Sequence, residues 1–255
     1  MAAAVENIKQ IRRRDVTFAV YEDESPEIPD FWQWDAWENH TYRILETFLD
    51  KEHSYIDVGV HLGQTVLYGA QLAKFVYAVE PDPEAIRITD KNLALNNISN
   101  IKLFPYALGA DAEVVRLGCP NNFPSLGASR TSSFFSEEAN SFEVRSLSLL
   151  SLIENEGIDD LGLVKIDVEG MEDVILANSP CLEVPVYVAI HTPWLSQKYA
   201  GYESILRFLS GYSRLTLVGS WWDGTVPVYV DLEYLEDMYV EEETSKGFFD
   251  ILAEP

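Results

Sequence analysis

The chain is short of positive charge. Eighteen lysines and arginines stand against 42 aspartates and glutamates, giving a net charge of −24 and an isoelectric point near 4.3. Such a field repels phosphate backbones and anionic lipid surfaces, so neither nucleic-acid nor membrane partners are expected. The one short basic cluster, Arg12-Arg13-Arg14, is too small to reverse that. Cysteine is scarce too: Cys119 and Cys181 cannot build a disulfide scaffold, and a reducing compartment is the default. No apolar run reaches membrane-spanning length, and the opening residues MAAAVENIKQIRRR lack the apolar core of a secretion signal. A soluble, cytoplasmic protein is the expectation. Internal repeats and low-complexity linkers are also missing, so the 255 residues read as one α/β domain with a substantial core.

What is present is alternation. A lead-in segment over 1–53 carries a strand over 15–21 and an amphipathic helix over 37–49. Strand 54–58, helix 64–74, strand 75–80, helix 82–97 and strand 100–104 follow in turn. An insertion over 109–141 includes a strand over 113–117 and a stretch rich in Ser, Asn, Gly and Pro. Beyond it come strand 142–147, helix 148–155, and a near-continuous apolar run over 161–168 of the buried parallel-strand type. Helix 169–177, strand 184–190 and helix 202–209 precede closing strands over 215–218 and 225–230, expected at a sheet edge. This order predicts a doubly wound, mostly parallel sheet with helices on both faces.

Residues 55–63, YIDVGVHLG, read as a strand, a glycine turn and a helix start; residues 75–80, FVYAVE, add a second strand ending in a carboxylate. Gly59 and Gly63 let backbone pass close to a ligand where a Cβ would collide, or simply make a tight strand-to-helix turn. Glu80 is placed to accept both hydroxyls of a ribose. Asp57, just before the turn, would repel a pyrophosphate and attract an ammonium or sulfonium. S-adenosylmethionine has an adenosine, no phosphate and two positive centres. A nicotinamide dehydrogenase is disfavoured by Asp57 and by the lack of a tight G-x-G-x-x-G.

Four segments then resemble one family. They are Asp57-Val-Gly-Val-His-Leu-Gly63, Val79-Glu80-Pro81-Asp82, Tyr106-Ala107-Leu108-Gly109 and, most specific, Lys165-Ile166-Asp167-Val168-Glu169-Gly170-Met171-Glu172. Together they resemble the FkbM-type methyltransferases over roughly residues 37–195. Two flanking motifs of a subgroup are similar as well: Trp37-Glu38-Asn39-His40-Thr41 and His191-Thr192-Pro193-Trp194-Leu195. His61 stands where many relatives have Asn or Trp. The resemblance implies the Rossmann-like class I fold, S-adenosylmethionine as cofactor, and methylation of a hydroxyl on a sugar or polyketide-type product.

Ligands in open α/β sheets sit beyond the carboxyl ends of the strands, where Asp57, Glu80, Asp167 and His191 converge. Asp57, Gly59, His61 and Gly63, with Gln64 or Thr65, are expected on the methionine part of the cofactor; Glu80 on its ribose; Asp82, Tyr106 and Ala107 beside its adenine. His191 reads as a neutral imidazole acting as base or substrate contact, or as a histidine fixing the Pro193 turn. Asp167 and Glu169 could meet the cofactor ammonium, the acceptor by a hydrogen bond, or a divalent metal with His191. At most three ligands and no repeated Asp/His cluster make no metal the expectation. Glu169, Glu172 and Asp173 equally suit the first turn of a helix.

The resemblance marks Trp37, Glu38 and Thr41 as a lid over cofactor or acceptor, whereas Trp32 and Trp34 read as packing anchors. Ser132 and Ser133, in a polar loop over 121–136, could recognise a hydroxylated acceptor or belong to an insertion without a specific role. Trp222, in a turn between the closing strands, is available to stack on a sugar face. The expected activity is methyl transfer to a hydroxyl of a small uncharged or cationic acceptor, a sugar of a glycan or a glycosylated or polyketide natural product. The alternatives are N-methylation of an amino sugar or amine, and a non-catalytic nucleoside-binding module.

Overall fold

The computed structural model describes residues 7–22, 38–119, 140–220, 227–242 and 244–255. Trp37, Ser132, Ser133 and Trp222 lie outside the described residues, as do Trp32, Trp34 and the 121–136 loop. The chain opens with a hairpin of β1 (Ile8–Arg13) and β2 (Val16–Tyr21), followed by α1 (Asn39–Phe48). Next come β3 (Ser54–Val58), α2 (Gln64–Leu72), β4 (Phe75–Val79), α3 (Pro83–Leu95) and β5 (Ile101–Phe104). Strands β6 (Ala107–Leu108), β7 (Val114–Cys119) and β8 (Asn140–Leu147) form a separate small sheet in the order β6-β8-β7. The remaining elements are α4 (Leu149–Glu156), β9 (Leu161–Ile166), α5 (Glu172–Ala177), β10 (Val186–His191), α6 (Lys198–Leu209), β11 (Arg214–Ser220), β12 (Val228–Val230), α7 (Leu232–Glu236) and β13 (Phe248–Glu254).

The main sheet has eight strands in the order β12-β11-β13-β10-β9-β3-β4-β5. Strands β10, β9, β3, β4 and β5 are parallel, and β13 runs antiparallel to both β10 and β11. Chain order reverses at β3, which has β4 on one side and β9 on the other, so a crevice opens beyond their carboxyl ends. Residues on alternate positions feed two apolar layers: Ile56, Val58, Val164, Ile166 and Val188 on one face, Tyr55, Leu163, Tyr187 and Leu252 on the other. Helix α1 turns Tyr42, Ile44 and Leu45 into the second layer, as its amphipathic spacing requires. No helix among the described residues is long and apolar enough to cross a membrane.

Four expectations change. The helix expected from 169 begins at Glu172, because Glu169 (φ 55°) and Gly170 (φ 103°) are left-handed and make a loop. Helix α6 begins at Lys198, before the expected 202. Strand β1, over Ile8–Arg13, was not expected beside the strand at 15–21. In the structure Arg13 is buried, and Arg14 pairs with Glu46, so the arginine cluster is largely engaged with its own chain. The largest difference is β13. Residues 248–254 were not expected as a strand, yet they lie inside the sheet and deliver Phe248 and Asp250 to the crevice.

Candidate active site

A cavity of about 330 Å³ lies at the carboxyl ends of β3, β4, β9 and β10. At one end, the turn after β3 is held by backbone and carboxylate together. Gly59 takes φ 82° and donates its N–H to the Val79 carbonyl at 3.0 Å, while His61 takes φ 51°. Glu80 accepts the His61 N–H at 2.7 Å on one oxygen and the Asp82 N–H at 2.9 Å on the other. Burial pushes the Glu80 carboxyl up to about 7, against the pull of those two N–H groups. An ionised carboxylate has about four lone-pair sites, so two remain for a diol. Burial pushes His61 down to about 4, leaving a neutral ring. Gln64 and Thr65 line the cavity from the first turn of α2, and the buried Gln64 Nε2 has no hydrogen-bond partner among the described residues.

Gly59 lines the cavity, and both glycines also serve the packing of the chain. A Cβ on Gly59 would stand 1.7 Å from the Asp167 carbonyl oxygen, so β3 and β9 can approach only because it is absent. At Gly63 a Cβ would meet Thr89 at 3.0 Å, and Gly63 is not on the cavity wall. Asp82 lines the cavity but spends Oδ1 on capping α3, accepting from Glu84 N at 2.7 Å and Ala85 N at 3.2 Å. Tyr106 and Ala107 also line the wall.

Asp57 is placed differently from its expected contact with a cationic ligand. It is fully buried, off the cavity wall, with Oδ1 3.2 Å from Lys165 Nζ. Lys165 does reach the wall, and its Nζ also stands 3.7 Å from Asp167 Oδ2. Burial alone would lower the Lys165 pKa, but Asp57, Asp167 and Glu38 outweigh it and hold the ammonium above the ordinary lysine range. Thr41 departs as well: it is 1% exposed and shares a hydrogen bond of 2.8 Å with the Tyr187 hydroxyl, so it supports the wall from behind.

The other end is built from charged side chains. His191 closes β10; its Nδ1 hydrogen-bonds Glu172 Oε1 at 2.7 Å, and its Nε2 lies 3.5 Å from Glu169 Oε2 and 3.9 Å from Asp167 Oδ1. Trp194 stacks on the imidazole with ring centroids 5.4 Å apart, and Phe248 meets it edge-on at 5.6 Å. The neutral imidazole expected here is not what the surroundings favour. Burial pushes His191 down, but Glu169, Glu172 and Asp167 more than offset it and raise it to about 10. Burial pushes Glu169 up to about 8. Glu38 lines the same end, pushed up to about 7 by burial and by Asp167.

Four residues at this site were given no role there from sequence, although three stand in the motifs: Lys165, Glu172, and a pair formed by His40 and Asp250. A lysine inside the apolar β9 run was the available signal, since a buried charge needs partners. Nothing local links His40 to Asp250.

With that geometry in view, the chain can be compared with known proteins. Residues 57–214 match the family model described as the methyltransferase FkbM domain. The chain belongs to the FkbM methyltransferase family. It is a methyltransferase of the class I fold, and its cofactor is S-adenosylmethionine. A relative from Bacillus cereus, named an uncharacterized RNA methyltransferase, is 43% identical over 67 residues, which cover 26% of this chain and 14% of that protein. The chain thus spans only a small part of that relative's length. Among solved structures, an rRNA methylase from Streptococcus thermophilus is 13% identical, with 85% of this chain and 95% of that one covered and a TM-score of 0.42. A methyltransferase from Streptococcus mutans in complex with S-adenosylhomocysteine is also 13% identical, covering 84% and 96%, with a TM-score of 0.39.

Proposed function

We propose that this methyltransferase transfers its methyl group to a hydroxyl of a small polyhydroxylated acceptor, a sugar of a glycan or of a glycosylated natural product. The observation that carries the reading is the division of one cavity: Glu80, Gln64 and Thr65 at one end, Asp167, Glu169 and His191 at the other. The first set suits an adenosine and an amino acid carboxylate, with the partnerless Gln64 amide as a donor. When bound, the cofactor supplies a methyl on sulfonium and keeps the electron pair as a thioether. What remains for the protein is orientation, exclusion of water and removal of the hydroxyl proton. Asp167, 23% exposed at its side chain, faces the acceptor end and takes that proton. His191, held charged, anchors the carboxylates and orients the hydroxyl oxygen. An amine acceptor would not need this cluster, since it deprotonates without a positioned base.

An RNA acceptor, as in the name of the Bacillus cereus relative, would need a surface that neutralises phosphates. The chain's net charge of −24 argues against it.

The test is a labelled-methyl assay over hydroxylated sugars, amino sugars and structured RNA, run with the intact protein and with His191→Ala. An O-methylated sugar product is expected, with turnover falling about a hundredfold or more in the variant while S-adenosylhomocysteine affinity is kept. Methylation confined to amines or RNA, or full turnover in the variant, would refute the assignment.

A further inference from the structure

Asp167, Glu169 and His191 each offer one donor atom, and these atoms lie within 4.8 Å of one another. They come from neighbouring strand ends. Asp167 and Glu169 follow β9, and His191 closes β10 beside it. Two further observations set this cluster apart from an ordinary group of surface acids. The first is that the His191 side chain is 94% removed from solvent, yet Nε2 points at the two carboxylates across 3.5 and 3.9 Å. Those are ion-pair separations, longer than a good hydrogen bond. The second is that Nδ1 is fixed from behind by Glu172, itself fully buried and also accepting the Gly170 N–H at 3.1 Å. A carboxylate on the far nitrogen is the arrangement that orients a metal-binding histidine and raises its basicity.

We infer that Asp167, Glu169 and His191 form a binding site for a divalent cation of the Mn²⁺ and Mg²⁺ class. The two carboxylates are hard donors and the imidazole is a borderline one that Mn²⁺ also accepts, so the carboxylate majority favours this class. Donors bound to one such ion at about 2.1 Å stand about 3 Å apart, so atoms now within 4.8 Å of one another need to close in by up to about 2 Å. The Asp167 and Glu169 side chains, 23% and 27% exposed, line the cavity, and a change of rotamer at each is what closing that distance requires. Binding replaces the proton on Nε2 with the ion, which then orients the hydroxyl oxygen in place of the charged imidazole; Asp167, offering one oxygen to the ion, keeps the other for the hydroxyl proton, and about three of six coordination positions stay open. Resting on the acceptor reading above, those positions would take two adjacent oxygens of the acceptor, selecting a vicinal diol. Glu172 is then a positioning residue, acting through His191.

The metal can be tested without turnover. The full chain, stripped with a chelator, is titrated with MnCl₂ while the free-ion electron paramagnetic resonance signal is followed. One Mn²⁺ per chain is expected, with affinity falling at least tenfold in Glu169→Gln and in His191→Gln, and about tenfold in Glu172→Gln. Circular dichroism and S-adenosylhomocysteine titration on the same samples report whether fold and cofactor end are intact. Loss of Mn²⁺ with cofactor binding kept supports the site. No bound Mn²⁺ in the folded wild type, or equal binding in wild type and both ligand variants, overturns it. Failure of the wild type to bind S-adenosylhomocysteine would instead count against the cofactor reading and leave the metal result standing.

Discussion

The two ends of the cavity are made by different physics. At the cofactor end a turn of left-handed residues is pinned by backbone N–H groups donating to one carboxylate, Glu80. At the acceptor end six ionisable side chains, Glu38, Lys165, Asp167, Glu169, Glu172 and His191, balance one another with little backbone help. A backbone cradle has one shape and a fixed set of donors. A charge cluster can change partners, and its character depends on what it has neutralised. That contrast suits a site in which one ligand is constant and the other is particular to the enzyme.

The sharpest way to break the contrast is to remove the cation that joins the ends. Lys165→Met leaves Asp57 buried and uncompensated, and a loss of about 3–5 kcal/mol in unfolding free energy is expected. Urea denaturation measures it. A loss under 1 kcal/mol would mean that Lys165 is not what compensates Asp57.

A smaller effect should come from Glu80. Burial pushes its carboxyl up to about 7 in the free protein, and a ribose diol donates better to the ionised form, all of whose lone pairs accept. Binding therefore lowers its pKa: affinity is full above pH 7 and weakens as pH falls through it. About tenfold weaker binding of S-adenosylhomocysteine is expected at pH 6 than at pH 8 by calorimetry, and that dependence should vanish in Glu80→Gln. A flat profile in the wild type would separate Glu80 from the ribose.

The smallest effect sharpens the reading of Asp82. If its task is capping α3, Asp82→Ala costs about 1 kcal/mol of stability and leaves cofactor affinity unchanged. An affinity loss larger than the stability loss would give Asp82 a part in holding adenine.

The same contrast governs what could be read in advance. The strand–turn–helix of 54–72 and the following strand carry a period-2 pattern, two glycines and a terminal acid within one short segment, so the cofactor end was legible as a unit. Even there the reason for Gly59 was not: only the fold brings the Asp167 carbonyl against it. Asp57 looked like a ligand because it is a charge at a strand end. Its pairing with Lys165 depends on β3 lying beside β9, which places Asp57 opposite Lys165 in register. The loop at Glu169 and Gly170 read as helix because acids favour a first helical turn, and that local preference gave way to the close passage of Trp194 over Gly170.

By itself the sequence determined the alternating strands and helices, the parallel core and the glycine turn facing Glu80. Those features are written in residues a few positions apart, where periodicity and turn chemistry act. Tertiary structure alone decided that β13 closes inside the sheet, that His40 meets Asp250 across 210 positions, and that three acids surround His191 and raise its pKa. Each of these depends on which distant groups surround a side chain once water has been excluded, and a buried charge takes its state from those neighbours.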